Sequence, residues 1–241
     1  MNDIEKWFKK HQGRRIIKQS NYLNIYEKFF SRFRRLKPSV LEIGVCHGGS
    51  LELWKDFFGE GSCINGIDIN PKCKEAESDQ ISVFIGDQTD LVFLDQVISD
   101  TGSPDIIIDD GGHTMNQQIT TFNHLFPKLN NGGIYVCEDL HTSYFSKNYK
   151  GGFRRKGTFI EHAKSLVDQI HHHYIDKGTS VIPQFQQDIM SVHFYDSLCV
   201  IEKSKCAKPK SITSGELEIE EMKRISALRH PRKWFKSKLH N

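Results

Sequence analysis

Between Ser39 and Lys203 the chain alternates short apolar runs of strand length with longer stretches whose apolar residues recur every three or four positions. The short runs, Ser39–Gly44, Cys63–Ile69, Ile81–Gly86, Asp105–Asp109 and Gly133–Glu138, carry little internal polarity, as strands covered on both faces do. The stretches that follow them, Ser50–Phe58, Leu91–Ser99, Asn116–Phe126 and Thr158–His173, have the length and period of helices. Parallel strands need such crossovers, so the alternation dictates a mostly parallel α/β sheet with helices on both faces. Near the end the pattern changes. Ile189–Tyr195 and Leu198–Glu202 flank the polar pair Asp196-Ser197, which reads as the turn of an antiparallel hairpin and departs from a simple dinucleotide-binding layout.

Before the sheet, Tyr22, Ile25, Tyr26, Phe29, Phe30 and Phe33 mark one more amphipathic helix. A chain of 241 residues suits one such domain with extensions. We divide it into a basic helical extension over 1–37, a central domain over 38–205 and a basic extension over 206–241, where Pro209, Ser211, Ser214 and Gly215 precede a helical pattern at Glu216–Leu228. The formal charge of +3 conceals a partition: residues 1–37 are +8, residues 206–241 are +5, and the middle is −10. Basic ends around an acidic centre suit an anionic or membrane-associated carrier. No stable nucleic-acid partner is expected, because an acidic rim repels phosphate, and a homo-oligomer is compatible with the pattern. Met1–Lys6 lacks the apolar core of a signal peptide and no apolar run approaches a bilayer's width, so a cytoplasmic location is expected, with peripheral membrane contact through the basic ends. Six cysteines without a CxxC pair read as reduced, structural thiols.

Two of the strand-like runs end abruptly in acids: Ile106-Ile107-Ile108-Asp109-Asp110-Gly111-Gly112-His113 and Ile134-Tyr135-Val136-Cys137-Glu138-Asp139. Neighbouring strands of this kind deliver several carboxylates to one rim of a sheet, where they need positive charge among them. A hard divalent cation meets that need, because carboxylate oxygens suit magnesium, manganese or calcium. Asp110, Glu138 and Asp139 read as its ligands. His113, three residues past Asp110, reads as a general base beside the ion, since an imidazole ordinarily titrates near neutrality. His171-His172-His173 is not read as a metal site, because successive helical side chains diverge by about 100°.

The first strand closes with Leu41-Glu42-Ile43-Gly44-Val45-Cys46-His47-Gly48-Gly49-Ser50, an acid and a glycine followed by a glycine pair that opens a helix. Glycine lets backbone approach a ligand and the helix start offers N–H groups, so a nucleotide-like ligand fits over Glu42, Gly44 and Ser50. Asp68, at the tip of the second strand, is placed to accept ribose hydroxyls; Asp87 and Gln88, at the third, suit an adenine amine and ring edge. Asp109 lies close enough in sequence to the rim to help hold a cationic cofactor. The G-x-G-x-x-G fingerprint of NAD is missing, and the terminal hairpin favours S-adenosylmethionine on the Rossmann-like sheet of class I methyltransferases. His141 and Tyr144, in an aromatic loop running to Tyr149 and Gly151-Gly152, are candidates for the acceptor pocket, with packing roles equally compatible.

The series LEIGVxxGGS, GIDI, GDQxD, IDDGGH, GGIYVCED and HTSY resembles the metal-dependent sugar O-methyltransferases that decorate glycosylated natural products, the mycinamicin-type macrolide 2''-O-methyltransferases among them, over residues 20–205. The resemblance implies magnesium, or manganese, on Asp110, Glu138 and Asp139, with His113 as general base. It further implies in-line methyl transfer to a sugar hydroxyl of a carbohydrate-containing small molecule, a nucleotide sugar or a glycan. Rival readings are an O-methyltransferase for phenols or catechols and a non-catalytic Rossmann-like nucleic-acid-binding protein, which would use the basic ends for phosphate contacts.

Overall fold

The computed structural model of the chain describes residues 1–175 and 188–215; the helical pattern read at Glu216–Leu228 lies outside them. Met1–Ala207 form one compact unit and Lys208–Asn241 a second, whose described part, 208–215, has no regular secondary structure. The strands are β1 (Ser39–Ile43), β2 (Cys63–Asp68), β3 (Ile81–Ile85), β4 (Ile106–Asp109), β5 (Ile134–Cys137), β6 (Ile189–Tyr195) and β7 (Leu198–Lys203). The helices are α1 (Asp3–Lys10), α2 (Tyr22–Phe30), α3 (Gly49–Phe58), α4 (Leu91–Thr101), α5 (Met115–Leu125) and α6 (Phe159–Ile170). Strand order is β3-β2-β1-β4-β5-β7-β6: the first five are parallel, and β7 runs antiparallel to both β5 and β6. This is the mostly parallel sheet with a terminal antiparallel hairpin that the sequence pattern implies, and the hairpin turns at Asp196-Ser197, with Ser197 at φ 62°.

The pleat divides the core in two. Val40, Ile106, Ile108, Ile134 and Val136 face α1, α2 and α3, whereas Leu41, Ile43, Ile107, Tyr135 and Cys137 face α4, α5 and α6. Residues 1–37 therefore contribute to the same core as the sheet, Ile4, Tyr22, Tyr26 and Phe30 all being buried there. Helix α1 was not read from periodicity because it has only eight residues, but its start is written in a capping box. The Asn2 side chain accepts from Glu5 N at 2.8 Å and the Glu5 carboxylate accepts from Asn2 N at 3.1 Å. Thr114 and Gln117 form a second capping box at the start of α5. Helix α6 stops at Ile170, short of the expected His173, because the last turn tightens to a 3₁₀ turn over His172–Tyr174.

Lys203, buried at the end of β7, donates to the carbonyls of Phe126, Pro127 and Leu129 at 3.3, 2.6 and 2.8 Å. It thereby satisfies oxygens left over where α5 ends and ties the hairpin to that helix. No helix among the described residues is long and apolar enough to cross a membrane.

At the centre of the second layer Phe122 packs with ring centroids 5.0 Å from Phe126, 5.0 Å from Tyr135 and 6.0 Å from Phe159. Removing a fully buried aromatic side chain forfeits its transfer free energy and leaves a cavity. We expect Phe122→Ala to lower stability by about 3–5 kcal/mol. Urea unfolding monitored by circular dichroism measures this, and a loss below about 1 kcal/mol would mean that the layer collapses around the gap.

Candidate functional site

The parallel strands all end on one side of the sheet, as open α/β sheets require of a ligand-binding crevice. There a cavity of about 250 Å³ is lined by Gly44, Asp68, Asp87, Gln88 and Gly111-Gly112 from four strand tips. Gly44 sits at φ 94°, and a Cβ there would overlap the Asp110 carbonyl oxygen, so only glycine lets β1 and β4 end this close together. Asp68 shapes the loop above it. Its Oδ2 accepts from Val45 N at 2.9 Å and Cys46 N at 3.0 Å, and its Oδ1 accepts from Asn70 N at 2.9 Å. Asp87 Oδ1 accepts from both the backbone N–H and the hydroxyl of Thr89 at 2.8 Å.

Gln88 braces the cavity wall. Its amide nitrogen donates to Asp109 Oδ1 at 3.2 Å and Thr121 Oγ1 at 3.0 Å, while its oxygen accepts from Gly112 N at 2.8 Å. Three residues expected at the cofactor are turned away from this cavity by the pleat. Asp109 is buried under α5, where it accepts from Gln88 and, at 2.9 Å, from the Tyr135 hydroxyl. Burial pushes its carboxyl up to about 7, against the pull of Tyr135, Gln88 and the Gly111 N–H. Glu42 and Ser50 lie on the opposite face, hydrogen-bonded to each other, and Glu42 also accepts from Trp54 Nε1 at 3.1 Å.

The register explains what Glu42 does there. It pairs with Ile108, and Ile108 pairs with Val136, so all three point to the α2 face. Two residues further along β4 and β5, Asp110 and Glu138 point the same way. Three adjacent strands thus aim three carboxylates at one spot, and the spot holds the ammonium of Lys18, whose side chain is 2% exposed. Lys18 Nζ donates to Asp110 Oδ2 at 2.6 Å and to the Glu138 carboxylate at 2.8 and 3.0 Å, with Glu42 Oε1 at 3.4 Å. The Tyr26 hydroxyl donates to Glu138 Oε1 at 2.5 Å.

Burial opposes the Lys18 charge, but the charges of Asp110, Glu138 and Glu42 outweigh it and hold the ammonium well above the ordinary lysine range. The acids remain in surplus. Burial raises Glu42 and Glu138, and the neighbouring Asp110 charge adds to both, while Lys18 pulls each back.

Beside this cage, Asp110, His113 and Asp139 each present a ligand-type atom, all within 4.8 Å of one another. His113 Nε2 lies 3.7 Å from Asp110 Oδ1 and 3.7 Å from Asp139 Oδ2. Asp110 therefore turns one oxygen to Lys18 and the other to the histidine. His113 and Asp139 both adopt left-handed backbone, φ 55°, a conformation that costs about 1–3 kcal/mol away from glycine and persists where surroundings impose it. The Tyr22 hydroxyl lies 3.0 Å from Asp139 Oδ1 and 2.9 Å from Ser197 O and accepts from Asp139 N at 3.2 Å, fixing this turn. His113 Nδ1 is buried with no hydrogen-bond partner among the described residues.

Of the acceptor candidates, His141 Nδ1 lies 2.5 Å from Ser197 Oγ, which orients its ring against Phe145, while Tyr144 is half exposed. His172 and His173 stack on each other, and among the described residues no metal-type cluster includes them. Lys18, Tyr22 and Tyr26 escaped sequence reading. Lys18 is one of eleven basic residues in a basic segment, and the two tyrosines count as members of an apolar stripe. Their spacing of four, which stacks two hydroxyls on one helix face, is the signal that was present.

No family model matches the chain. It is 36% identical over 193 residues to the 8-demethyl-8-alpha-L-rhamnosyl tetracenomycin-C 2'-O-methyltransferase of Streptomyces olivaceus, a match covering 76% of this chain and 50% of that protein. It is 35% identical over 195 residues to the mycinamicin VI 2''-O-methyltransferase of Micromonospora griseorubida, covering 75% and 47% respectively. The chain spans about half the length of the curated relatives it matches. Among solved structures, the MycE methyltransferase of the mycinamycin biosynthetic pathway, in complex with Mg and SAH, superposes with a TM-score of 0.80 at 30% identity, covering 93% of this chain and 60% of that one. The chain therefore has the fold of the class I methyltransferases and is a homologue of the sugar O-methyltransferases of macrolide and tetracenomycin pathways.

Proposed function

We propose that this chain is the catalytic unit of an O-methyltransferase that moves the methyl group of S-adenosylmethionine onto a sugar hydroxyl of a glycosylated small molecule, with a divalent ion, magnesium or manganese, at the acidic rim. The observation that carries this reading is the convergence of Asp110, His113 and Asp139 within 4.8 Å beside a strand-tip cavity. The donors fit a hard dication, being mostly carboxylate oxygens. The names of the tetracenomycin and mycinamicin relatives, and the Mg and SAH bound to MycE, support the sugar acceptor and both cofactors over a phenol or nucleic-acid reading.

In this reading Gly44 admits the cofactor to the backbone, Asp68 takes the ribose hydroxyls and Asp87 an adenine amine. Gln88 lines the ring's edge. Asp109 acts indirectly, by gripping Gln88, and Glu42 and Ser50 support the loop from behind. Asp110 and Asp139 hold the ion, with Glu138 as the third acid. The bound ion supplies Lewis acidity, lowering the cost of ionising an acceptor hydroxyl. His113, beside both aspartates, receives the proton at Nε2. His141 and Tyr144 face the acceptor sugar, and no protein nucleophile is required. The basic ends suit an anionic carrier of the acceptor.

Mass spectrometry of glycosides and nucleotide sugars incubated with S-adenosylmethionine and magnesium tests the reading: one added methyl is expected on a sugar hydroxyl. Excess chelator should abolish turnover yet leave S-adenosylhomocysteine binding, read by calorimetry, largely intact. Undiminished turnover in chelator, or an Asp139→Ala protein with unchanged metal dependence, overturns the metal assignment.

The histidine is tested separately. As a general base it contributes about 10²–10⁴-fold, so His113→Ala should lose that factor in kcat while S-adenosylhomocysteine binds as before. A kcat within twofold of the parent's, measured where chemistry limits the rate, would remove His113 from the proton transfer.

A further inference from the structure

The chain already owns a cation at its acidic rim. Residues 11–20, a strap without regular structure between α1 and α2, carry Lys18 into the carboxylate cage. The strap is pinned at its ends. His11 Nε2 meets Arg14 O at 2.7 Å, Arg14 N donates to Glu52 at 2.9 Å, and Tyr22 N donates to Gln19 O at 3.0 Å. Between these pins Ile17 is 68% exposed, so the chain lies one residue from solvent where Lys18 turns inward.

An ammonium has three donors, and those of Lys18 meet the carboxylates of Asp110, Glu138 and Glu42. Two of those acids, Asp110 and Glu138, belong to the ligand set proposed above, and both Glu138 oxygens lie within 3.0 Å of Nζ. A divalent ion binds carboxylate oxygen at about 2.0–2.6 Å. It cannot take Glu138 while the ammonium sits against the same oxygens, because like charges that close in a buried site repel strongly. Asp139 and the second oxygen of Asp110 make no contact with Lys18 and stand on the more exposed side, next to His113.

We propose that Lys18 and the divalent ion are alternative occupants of the Asp110–Glu138 cage, so that metal loading expels the Lys18 side chain and the strap acts as a built-in competitor for the ion. The inference rests on the metal reading above and adds the regulation of that site. In the exchange a single positive charge leaves and a double one enters, which suits a cage whose acids outnumber the lysine three to one. Tyr26 stays on Glu138 throughout, keeping that carboxylate aimed at the rim. Without the ion, Lys18 keeps the acids together and the sheet's end closed; with it, the strap is freed at its midpoint.

The test uses the full chain without S-adenosylmethionine. Amines are acetylated briefly with an N-hydroxysuccinimide ester, in chelator or in saturating magnesium, and peptides are quantified by mass spectrometry. The Lys18 amine is expected to resist acetylation in chelator and to react at least tenfold faster with magnesium, while the exposed amines of Lys6 and Lys74 react equally in both. Lys18→Met should bind magnesium at least tenfold more tightly than the parent chain by calorimetry; should that variant fail to fold, the labelling of the unaltered chain decides alone. Magnesium that binds at the rim while Lys18 stays protected overturns the exchange and leaves the metal reading standing. Absence of magnesium binding to both chains overturns the metal reading and the exchange with it.

Discussion

Three carboxylates at the ends of three adjacent buried strands cannot stand together without a positive charge among them, and much of this structure follows from how that charge is supplied. The parallel register of β1, β4 and β5 puts Glu42, Asp110 and Glu138 on one face. Each is held there by backbone that also builds the core, so none can retreat to solvent without unpairing a strand. The cation must come to them. In the described structure it arrives on the N-terminal strap as Lys18. The aromatic layer of α2 then does two jobs: Tyr26, Phe30 and Trp54 seal the cage from water, while the hydroxyls of Tyr22 and Tyr26 reach out of that layer to Asp139 and Glu138. A desolvated environment of this kind strengthens each remaining contact and makes an unpaired member costly.

The same period-two geometry separates roles that adjacent positions appear to share on paper. Asp109 and Asp110 are consecutive, yet one lies under α5 in a network with Gln88 and Tyr135, and the other faces Lys18 and His113. Only Asp110 is available to chemistry at the rim. Asp109 acts as a brace, linking the third strand's tip to the Gly111-Gly112 turn through Gln88, so the wall of the cavity and the position of His113 are set by one buried carboxyl.

The strand and helix pattern of the central domain was legible because burial on both faces leaves long apolar runs, and their boundaries fell within a few residues of the observed ones. Helix α1 was not, since eight residues carry too little period, although Asn2 and Glu5 announce it as a cap. At the site, local motifs located Asp110, His113, Glu138 and Asp139, whose neighbourhood is a matter of adjacent strand ends. The need for positive charge among the acids was also readable from their composition. Its resident source was not, because Lys18 is 92 residues from Asp110 and 120 from Glu138, and nothing local distinguishes it from the other basic residues around it. Pleat parity could have removed Asp109 from the cofactor set beforehand, had the phase of β4 been followed through to its end.

The strand order β5-β7-β6 carries a consequence for how the molecule comes into being. The ribosome delivers β5 long before β7, yet β7 is the partner that covers the free edge of β5, whose Ile134, Tyr135, Val136 and Cys137 are all buried in the finished sheet. Until residue 203 has left the exit tunnel that edge is an unpaired, apolar template, and the carbonyls that Lys203 will cap at the end of α5 are bare. The nascent chain therefore passes through an interval of exposure that only its final strand can end.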